Sequence, residues 1–149
     1  MKPVLHVGID IGSTTVKVAA LSPYFKLVFG RYARHMSDIR HATEALLSEL
    51  QQTFPGYRIT ASVSGSGGMG LSQLMGLPFC QEILAETKAI RTFHPETDII
   101  IELGGEDAKI IYFEGGNVEQ RMNGICAGGT GSFIDQMATL LQTDATGLN

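Results

Sequence analysis

The stretch GIDIGSTTVKV at Gly8–Val18 decides the fold class of this chain. Apolar residues at Val4–Asp10 predict a buried strand, and the pattern at Thr14–Leu21 predicts a second strand after a short turn. Glycine in such a turn lets backbone N–H groups approach the oxygens of a ligand closely. The stretch therefore predicts a strand hairpin whose tip can contact phosphate.

The residue types of this first hairpin suit a phosphate group. Gly12 permits the tight turn, Lys17 can balance negative charge, and Asp10 at the strand end can orient hydrated magnesium. Backbone N–H and hydroxyl donors are available at Ser13, Thr14 and Thr15. An ordinary hairpin in which Asp10 caps the turn explains the same residues, so both interpretations stay open. The glycine and lysine spacing of a Walker loop is absent.

A second hairpin is predicted at IIIELGGEDAKII, Ile99–Ile111. Glu102 ends an apolar strand, Asp107 begins the next, and Gly104 and Gly105 form the turn between them. A hairpin with solvated carboxylates at its tip is the alternative. Function is favoured here, because ligands commonly bind at the strand ends of a sheet. Two such hairpins together predict a phosphate clamp.

A third glycine-rich stretch, NGICAGGTGSFID at Asn123–Asp135, precedes a predicted helix at Thr130–Gln142. A helix N-terminus lowers the pKa of a nearby thiol, so Cys126 could be a nucleophile, a redox thiol or a cluster ligand. An iron–sulfur cluster takes about four thiolates, which one cysteine per chain cannot supply alone. A small buried residue in a glycine loop is the alternative. Cys80 is predicted to be a core residue.

The predicted elements follow the order β-β-β-α-β-α and then β-β. This order predicts an α/β fold with a ribonuclease-H-like mixed sheet, an antiparallel three-stranded meander and flanking helices. We expect one domain over residues 1–149. Ser37 is the expected N-cap of a helix over Ile39–Phe54, and further helices are predicted at Leu71–Met75 and Gln81–Phe93. Two interpretations stay open for four glycines, as a ligand cleft or as a turn: Gly65, Gly67, Gly68 and Gly70.

Composition excludes several classes of function. The net charge of −4 argues against a nucleic-acid partner, which usually meets a basic stripe. No apolar run approaches the ~20 residues of a membrane span. The two cysteines form no disulfide framework, so we expect a cytoplasmic protein. The histidines show no paired ligand spacing and are expected at the surface or in strands: His6, His35, His41 and His94.

These stretches resemble the acetate-kinase, sugar-kinase, heat-shock and actin ATPase superfamily. DIGSTTVK at Asp10–Lys17 and ELGGEDAK at Glu102–Lys109 resemble its two phosphate motifs. NGICAGGTGSFIDQMA at Asn123–Ala138 is more specific, and resembles the activator ATPases of 2-hydroxyacyl-CoA dehydratases and benzoyl-CoA reductases. The chain is most similar to the N-terminal module of the large CoA-substrate-specific enzyme activases.

The resemblance implies an actin-like ATPase lobe that binds ATP or ADP with Mg²⁺. It implies catalytic roles for Asp10, Glu102 and Asp107. Nucleotide contacts would come from Gly12, Ser13, Thr14, Thr15, Lys17, Gly104, Gly105, Gly128, Gly129 and Thr130. It also implies a homodimer, or a paired module in the full-length protein, that shares one [4Fe–4S] cluster through Cys126. An acyl-CoA dehydratase or reductase would be the partner, and reduced ferredoxin or flavodoxin the electron donor.

The chain departs from the family pattern at two points. The second phosphate motif commonly begins with Asp, whereas this chain has Glu102, whose carboxylate lies further from the backbone. The second cluster cysteine, the adenosine loop and the second lobe would lie beyond residue 149, so we expect an excised fragment of a longer chain. Alternatives are a small-molecule kinase lobe of the same superfamily and a non-catalytic nucleotide-binding module. A ribonuclease-H-like nuclease with two metals is a further alternative.

Overall fold

A computed structural model describes residues 2–105, 107–114, 117–122, 130–143 and 147. The chain divides into two compact units, Met1–Thr87 and Lys88–Asn149. The single domain expected over residues 1–149 stays a prediction. Among the described residues, no helix combines the length and apolarity needed to cross a membrane.

The first unit is built on a four-stranded sheet in the order β3-β2-β1-β4. β1 and β2 are antiparallel, as are β2 and β3, whereas β4 runs parallel to β1. The strands are β1 Val4–Ile11, β2 Thr15–Leu21, β3 Leu27–Arg34 and β4 Arg58–Ser64. This arrangement confirms the predicted mixed sheet with an antiparallel meander.

The crossover between β3 and β4 contains α1, Ile39–Thr53. Its N-cap is Asp38, whose Oδ1 accepts a hydrogen bond of 3.0 Å from the N–H of His41. The prediction of Ser37 as the N-cap is wrong, because the carboxylate one residue later reaches the free N–H groups of the first turn. Two more helices follow β4: α2 Gly68–Met75 and α3 Glu82–Phe93.

The core of the first unit lies on one face of its sheet. Alternate β1 residues are buried, namely Leu5, Val7, Ile9 and Ile11, and on β2 Val16, Val18 and Ala20 join them. Helix α1 contributes Ala42, Leu46 and Leu50 to this cluster. Because side chains alternate along a strand, Asp10 and Lys17 lie on the opposite face.

The second unit contains an antiparallel three-stranded sheet in the order β5-β6-β7, followed by a helix. Its elements are β5 Ile99–Leu103, β6 Ala108–Glu114, β7 Asn117–Met122 and α4 Gly131–Leu140. Ile111 and Ala138 are its buried apolar residues among those described. Four large apolar residues of α4 and its C-cap are exposed: Phe133, Ile134, Leu140 and Leu141.

Candidate functional site

The tip of the first hairpin presents hydrogen-bond donors that the protein does not use itself. The Gly12 N–H closes the turn by donating to the Thr15 carbonyl at 2.9 Å. In the described part of the chain, the N–H groups of Ser13 and Thr14 meet no acceptor. The hydroxyls of Ser13, Thr14 and Thr15 are likewise without a partner there. Such a cluster of free donors is suited to an anion.

Asp10 and Lys17 lie side by side below this tip. They are paired in register across β1 and β2, and the Lys17 Nζ lies 2.9 Å from the Asp10 Oδ2. The other carboxylate oxygen, Oδ1, is buried and has no hydrogen-bond partner among the described residues. A buried carboxylate oxygen is unfavourable unless a donor or a bound cation satisfies it. Asp10 therefore fits a hydrated magnesium ion.

Two glycines of the segment after β4 pack directly against the first hairpin. Gly65 has a φ of +89°, and a Cβ there would collide with the Ile11 carbonyl oxygen and lie 2.5 Å from the Asp10 Oδ1. The Gly67 N–H donates to the Ile11 carbonyl at 2.9 Å. Glycine is needed at Gly65 because the Ile11 backbone passes too close for any side chain, and a Cβ at Gly67 would lie 2.9 Å from the Ile11 Cγ2. Gly70 lies in α2, and apart from the helix's own backbone nothing lies within 4 Å of the position that a Cβ would occupy there.

The predicted turn over Gly65–Gly70 is shorter than expected, since α2 begins at Gly68 rather than Leu71. Gly68 is buried, and a Cβ there would lie 2.9 Å from the Val63 Cγ1. Glycine at this position is therefore explained by the close packing of α2 on β4, which propensity alone does not predict.

The second hairpin repeats this design. The Gly104 N–H donates to the Asp107 carbonyl at 2.7 Å, as Gly12 does to Thr15. Glu102 and Lys109 are paired in register, with 2.6 Å between Oε2 and Nζ. In both hairpins the acidic residue comes two positions before the glycine and seven before the lysine. The internal similarity of the two sequences is therefore also a similarity of backbone geometry.

The two hairpins differ in how far their ion pairs are buried. The Lys109 side chain is 7% exposed and that of Glu102 27%, whereas Lys17 is 52% exposed. Glu102 thus neutralises a buried ammonium group. Asp107 is exposed, and its carboxylate has no partner among the described residues. Asp107 is the freer of the two carboxylates predicted to act here.

The start of α4 packs on the second turn. Thr130 is its N-cap and is buried, and the Gly131 N–H donates to the Gly104 carbonyl at 3.1 Å. A Cβ at Gly131 would lie 3.4 Å from the Gly105 Cα. The structure therefore brings Thr130 together with Gly104 and Gly105, as a shared site requires. The predicted cluster ligand Cys126 and its neighbours Gly128 and Gly129 lie outside the described residues.

Two predictions about single residues are wrong. His35 is buried at 8% exposure beside the first hairpin, although a surface or strand position was expected. It follows β3 directly, so its position at the end of that strand places it at the hairpin end of the sheet.

Cys80 is half-buried rather than a core residue, and its Sγ lies 3.6 Å from the Gln81 carbonyl. It directly follows Phe79, whose single parallel bridge to Val63 is isolated, so Cys80 lies outside any strand or helix.

The family model and the similar proteins found by comparison indicate the same family. The model of the BadF/BadG/BcrA/BcrD ATPase family matches residues 7–148. The chain is 28% identical, over 147 residues, to the (R)-2-hydroxyglutaryl-CoA dehydratase activating ATPase of Acidaminococcus fermentans. It is 27% identical, over 157 aligned positions, to the 2-hydroxyisocaproyl-CoA dehydratase activator of Clostridioides difficile. Each match covers 95% of this chain, but only 55% and 54% of these relatives.

A solved structure of one such activator is also similar in fold to this chain. The activator of the 2-hydroxyisocaproyl-CoA dehydratase from Clostridium difficile, with bound ADPNP, superposes with a TM-score of 0.79 at 27% identity. The match covers 97% of this chain and 55% of that one. The chain thus spans about half the length of the relatives that it matches.

Proposed function

Because the chain belongs to the BadF/BadG/BcrA/BcrD ATPase family, we propose that it is the nucleotide-binding part of an ATP-dependent activator. The enzyme activated would be a 2-hydroxyacyl-CoA dehydratase or a related CoA-ester reductase. Two similar proteins are named as activators of such dehydratases, which supports this choice. The solved relative with ADPNP supports ATP or ADP as the ligand.

The free donors at the tip of the first hairpin carry this proposal. Ser13 and Thr14 would donate their N–H groups to phosphate oxygens, and Thr15 would add its hydroxyl. Gly12 keeps the turn tight, and Lys17 would offset phosphate charge. Mg²⁺, bound through water to the unsatisfied Oδ1 of Asp10, would neutralise charge that develops on the phosphates.

The second hairpin is proposed to act in the same way. Its turn at Gly104 and Gly105 allows close backbone approach, and the start of α4 at Thr130 adds the positive end of a helix dipole. Asp107 is the proposed carboxylate for positioning water or metal. Glu102 is also proposed to be catalytic, and it would act while its Oε2 remains ion-paired to the Lys109 Nζ.

The iron–sulfur part of the proposal depends on the family resemblance and on Cys126. A [4Fe–4S] cluster would supply a one-electron carrier. The cluster takes about four thiolates, and Cys126 with the second cysteine that the resemblance implies beyond residue 149 would supply two per chain, so we propose a homodimer that shares the cluster, with Gly128 and Gly129 leaving room around it. Reduced ferredoxin or flavodoxin is the proposed donor, and the cytoplasm the proposed location.

Activation of a dehydratase tests the proposal. The full-length protein would be added, with reductant, to a 2-hydroxyacyl-CoA dehydratase prepared without its own activator. We expect dehydration that requires Mg-ATP and fails with Mg-ADPNP, because the latter is not hydrolysed. Mg-ATP binding and hydrolysis without any activation would retain the nucleotide site and reject the partner. No binding at all would reject the nucleotide site as well.

A further inference from the structure

His35 is joined to the tip of the first hairpin by two hydrogen bonds. Its backbone N–H donates to the Thr14 carbonyl at 3.1 Å, and its Nε2 lies 3.2 Å from the Gly12 carbonyl oxygen. The residue is 8% exposed. A buried polar ring in this position is part of the hairpin's construction, although it belongs to neither phosphate motif.

The partners of the ring determine its protonation. The Ser37 N–H lies 3.1 Å from Nδ1 and can only donate, so Nδ1 must be the unprotonated nitrogen. The Gly12 carbonyl oxygen can only accept, so Nε2 must carry the hydrogen. Both nitrogens are satisfied in one state alone, the neutral imidazole with hydrogen on Nε2.

An unusual turn holds the ring in place. Met36 and Ser37 both have positive φ values, 44° and 69°, which non-glycine residues seldom adopt. The turn is closed by the Asp38 N–H, which donates to the His35 carbonyl at 2.6 Å. Strained backbone of this kind tends to persist where a functional arrangement depends on it. Here it brings the Ser37 N–H to Nδ1.

The bond to Gly12 has a directional consequence. The Gly12–Ser13 peptide is trans, so the Gly12 carbonyl and the Ser13 N–H point in opposite directions from one planar peptide. Holding the carbonyl towards His35 therefore turns the Ser13 N–H away from it. That N–H has no partner in the described part of the chain.

We propose that His35 is a positioning residue, which holds the Gly12–Ser13 peptide so that the Ser13 N–H faces a nucleotide phosphate. This proposal rests on the proposed function of the first hairpin. It adds to that site a residue outside both phosphate motifs, His35, with its hydrogen on Nε2.

Isothermal titration of the full-length protein with Mg-ATP tests the proposal. The wild type is measured first, since no binding there would overturn the proposed nucleotide site itself. If the wild type binds, His35→Ala is expected to raise the Kd about tenfold, the effect of losing one well-placed hydrogen bond to a charged group. His35→Gln keeps a side-chain N–H donor and is expected to recover much of that loss. Binding by His35→Ala within about twofold of wild type would overturn the positioning role.

Two further measurements keep the test decisive. His41→Ala is the matched control, because His41 is exposed, and wild-type affinity is expected. If His35→Ala fails to fold, nitrogen-15 NMR of the wild-type imidazole decides. Hydrogen on Nε2, with a Ser13 amide resonance that shifts on adding Mg-ATP, supports the proposal. Hydrogen on Nδ1, a charged ring, or an unmoved Ser13 resonance in the nucleotide-bound protein overturns it.

Discussion

Lys17 binds one carboxylate oxygen of Asp10 at 2.9 Å and leaves the other, which is buried, without a partner among the described residues. An ion pair that served stability alone would not require a buried, unsatisfied oxygen. The arrangement instead suits a carboxylate that awaits a cation. Lys17 holds the Asp10 carboxylate in place.

Asp10→Asn tests this interpretation. The amide keeps the shape of the side chain but loses its charge, so we expect ATP turnover of the full-length protein to fall about 100-fold or more. The lost ion pair is partly exposed and contributes at most about 1 kcal/mol, so the melting temperature should change by only a few degrees. A steady-state ATPase assay and a thermal melt provide both values.

The matched control is Glu49→Gln in the same unit. Glu49 pairs with Arg31 at 2.7 Å, and both side chains are about half exposed. We expect unchanged turnover and an equally small change in melting temperature. Wild-type turnover in Asp10→Asn would remove Asp10 from any metal-binding role.

Gly65→Ala is expected to disturb the Asp10 carboxylate at Oδ1, the oxygen that Lys17 does not bind. Alanine must adopt a φ of +89° and also place its Cβ against the Ile11 carbonyl and the Asp10 Oδ1. Gly56 has a similar φ of +84°, but nothing lies within 4 Å of its Cβ position. Gly56→Ala therefore measures backbone strain alone, about 1 kcal/mol.

Denaturant unfolding of Gly65→Ala and Gly56→Ala separates the cost of the Cβ collision from the cost of backbone strain. We expect Gly65→Ala to lower the free energy of unfolding by about 1–3 kcal/mol more than Gly56→Ala. It should also weaken Mg-ATP binding, which Gly56→Ala should leave unchanged. Equal destabilisation by both would show that Gly65 does not approach Asp10 as closely as described.

Glu102→Gln is expected to destabilise the protein, because Glu102 neutralises the buried ammonium group of Lys109 at 2.6 Å. We expect a loss of about 1–3 kcal/mol in the free energy of unfolding. The control is Glu119→Gln in the same sheet, whose pair with Arg121 is exposed and should contribute less than about 1 kcal/mol. Urea denaturation of both variants is the measurement. Equal effects would contradict a structural role for the Glu102 pair.

The proposed cluster is tested by Cys126→Ala in the full-length protein, prepared without oxygen. We expect loss of iron and of visible absorbance, with Mg-ATP binding retained, because a cluster needs its thiolate ligands. Cys80→Ala is the control and should keep its iron. Iron lost from Cys80→Ala but retained in Cys126→Ala would reverse the assignment.

The sequence predicted the strands well, because their signals are local. Apolar residues and small turn residues at Gly8–Val18 determine the first hairpin, and the meander follows from short connections. The boundaries of helices were less predictable. Ser37 and Asp38 are both good N-caps by type, and only the left-handed backbone at Ser37 decides between them.

Contacts between distant residues could not be predicted from one sequence. His35 reaches Gly12 only because β3 ends beside the first hairpin, and no motif spacing marks that proximity. The role of Gly65 likewise depends on β4 lying parallel to β1, which brings it to Asp10. The ion pairs of the two hairpins, by contrast, follow from their register, since each lysine is opposite its acid.

A crystal structure of the full-length protein with Mg²⁺ and ADPNP tests the central claim most directly. The account predicts phosphate oxygens within hydrogen-bond distance of the Ser13 and Thr14 N–H groups, with a hydrated Mg²⁺ next to the Asp10 Oδ1. Nucleotide bound elsewhere, with the tip of the first hairpin free of phosphate, would contradict it.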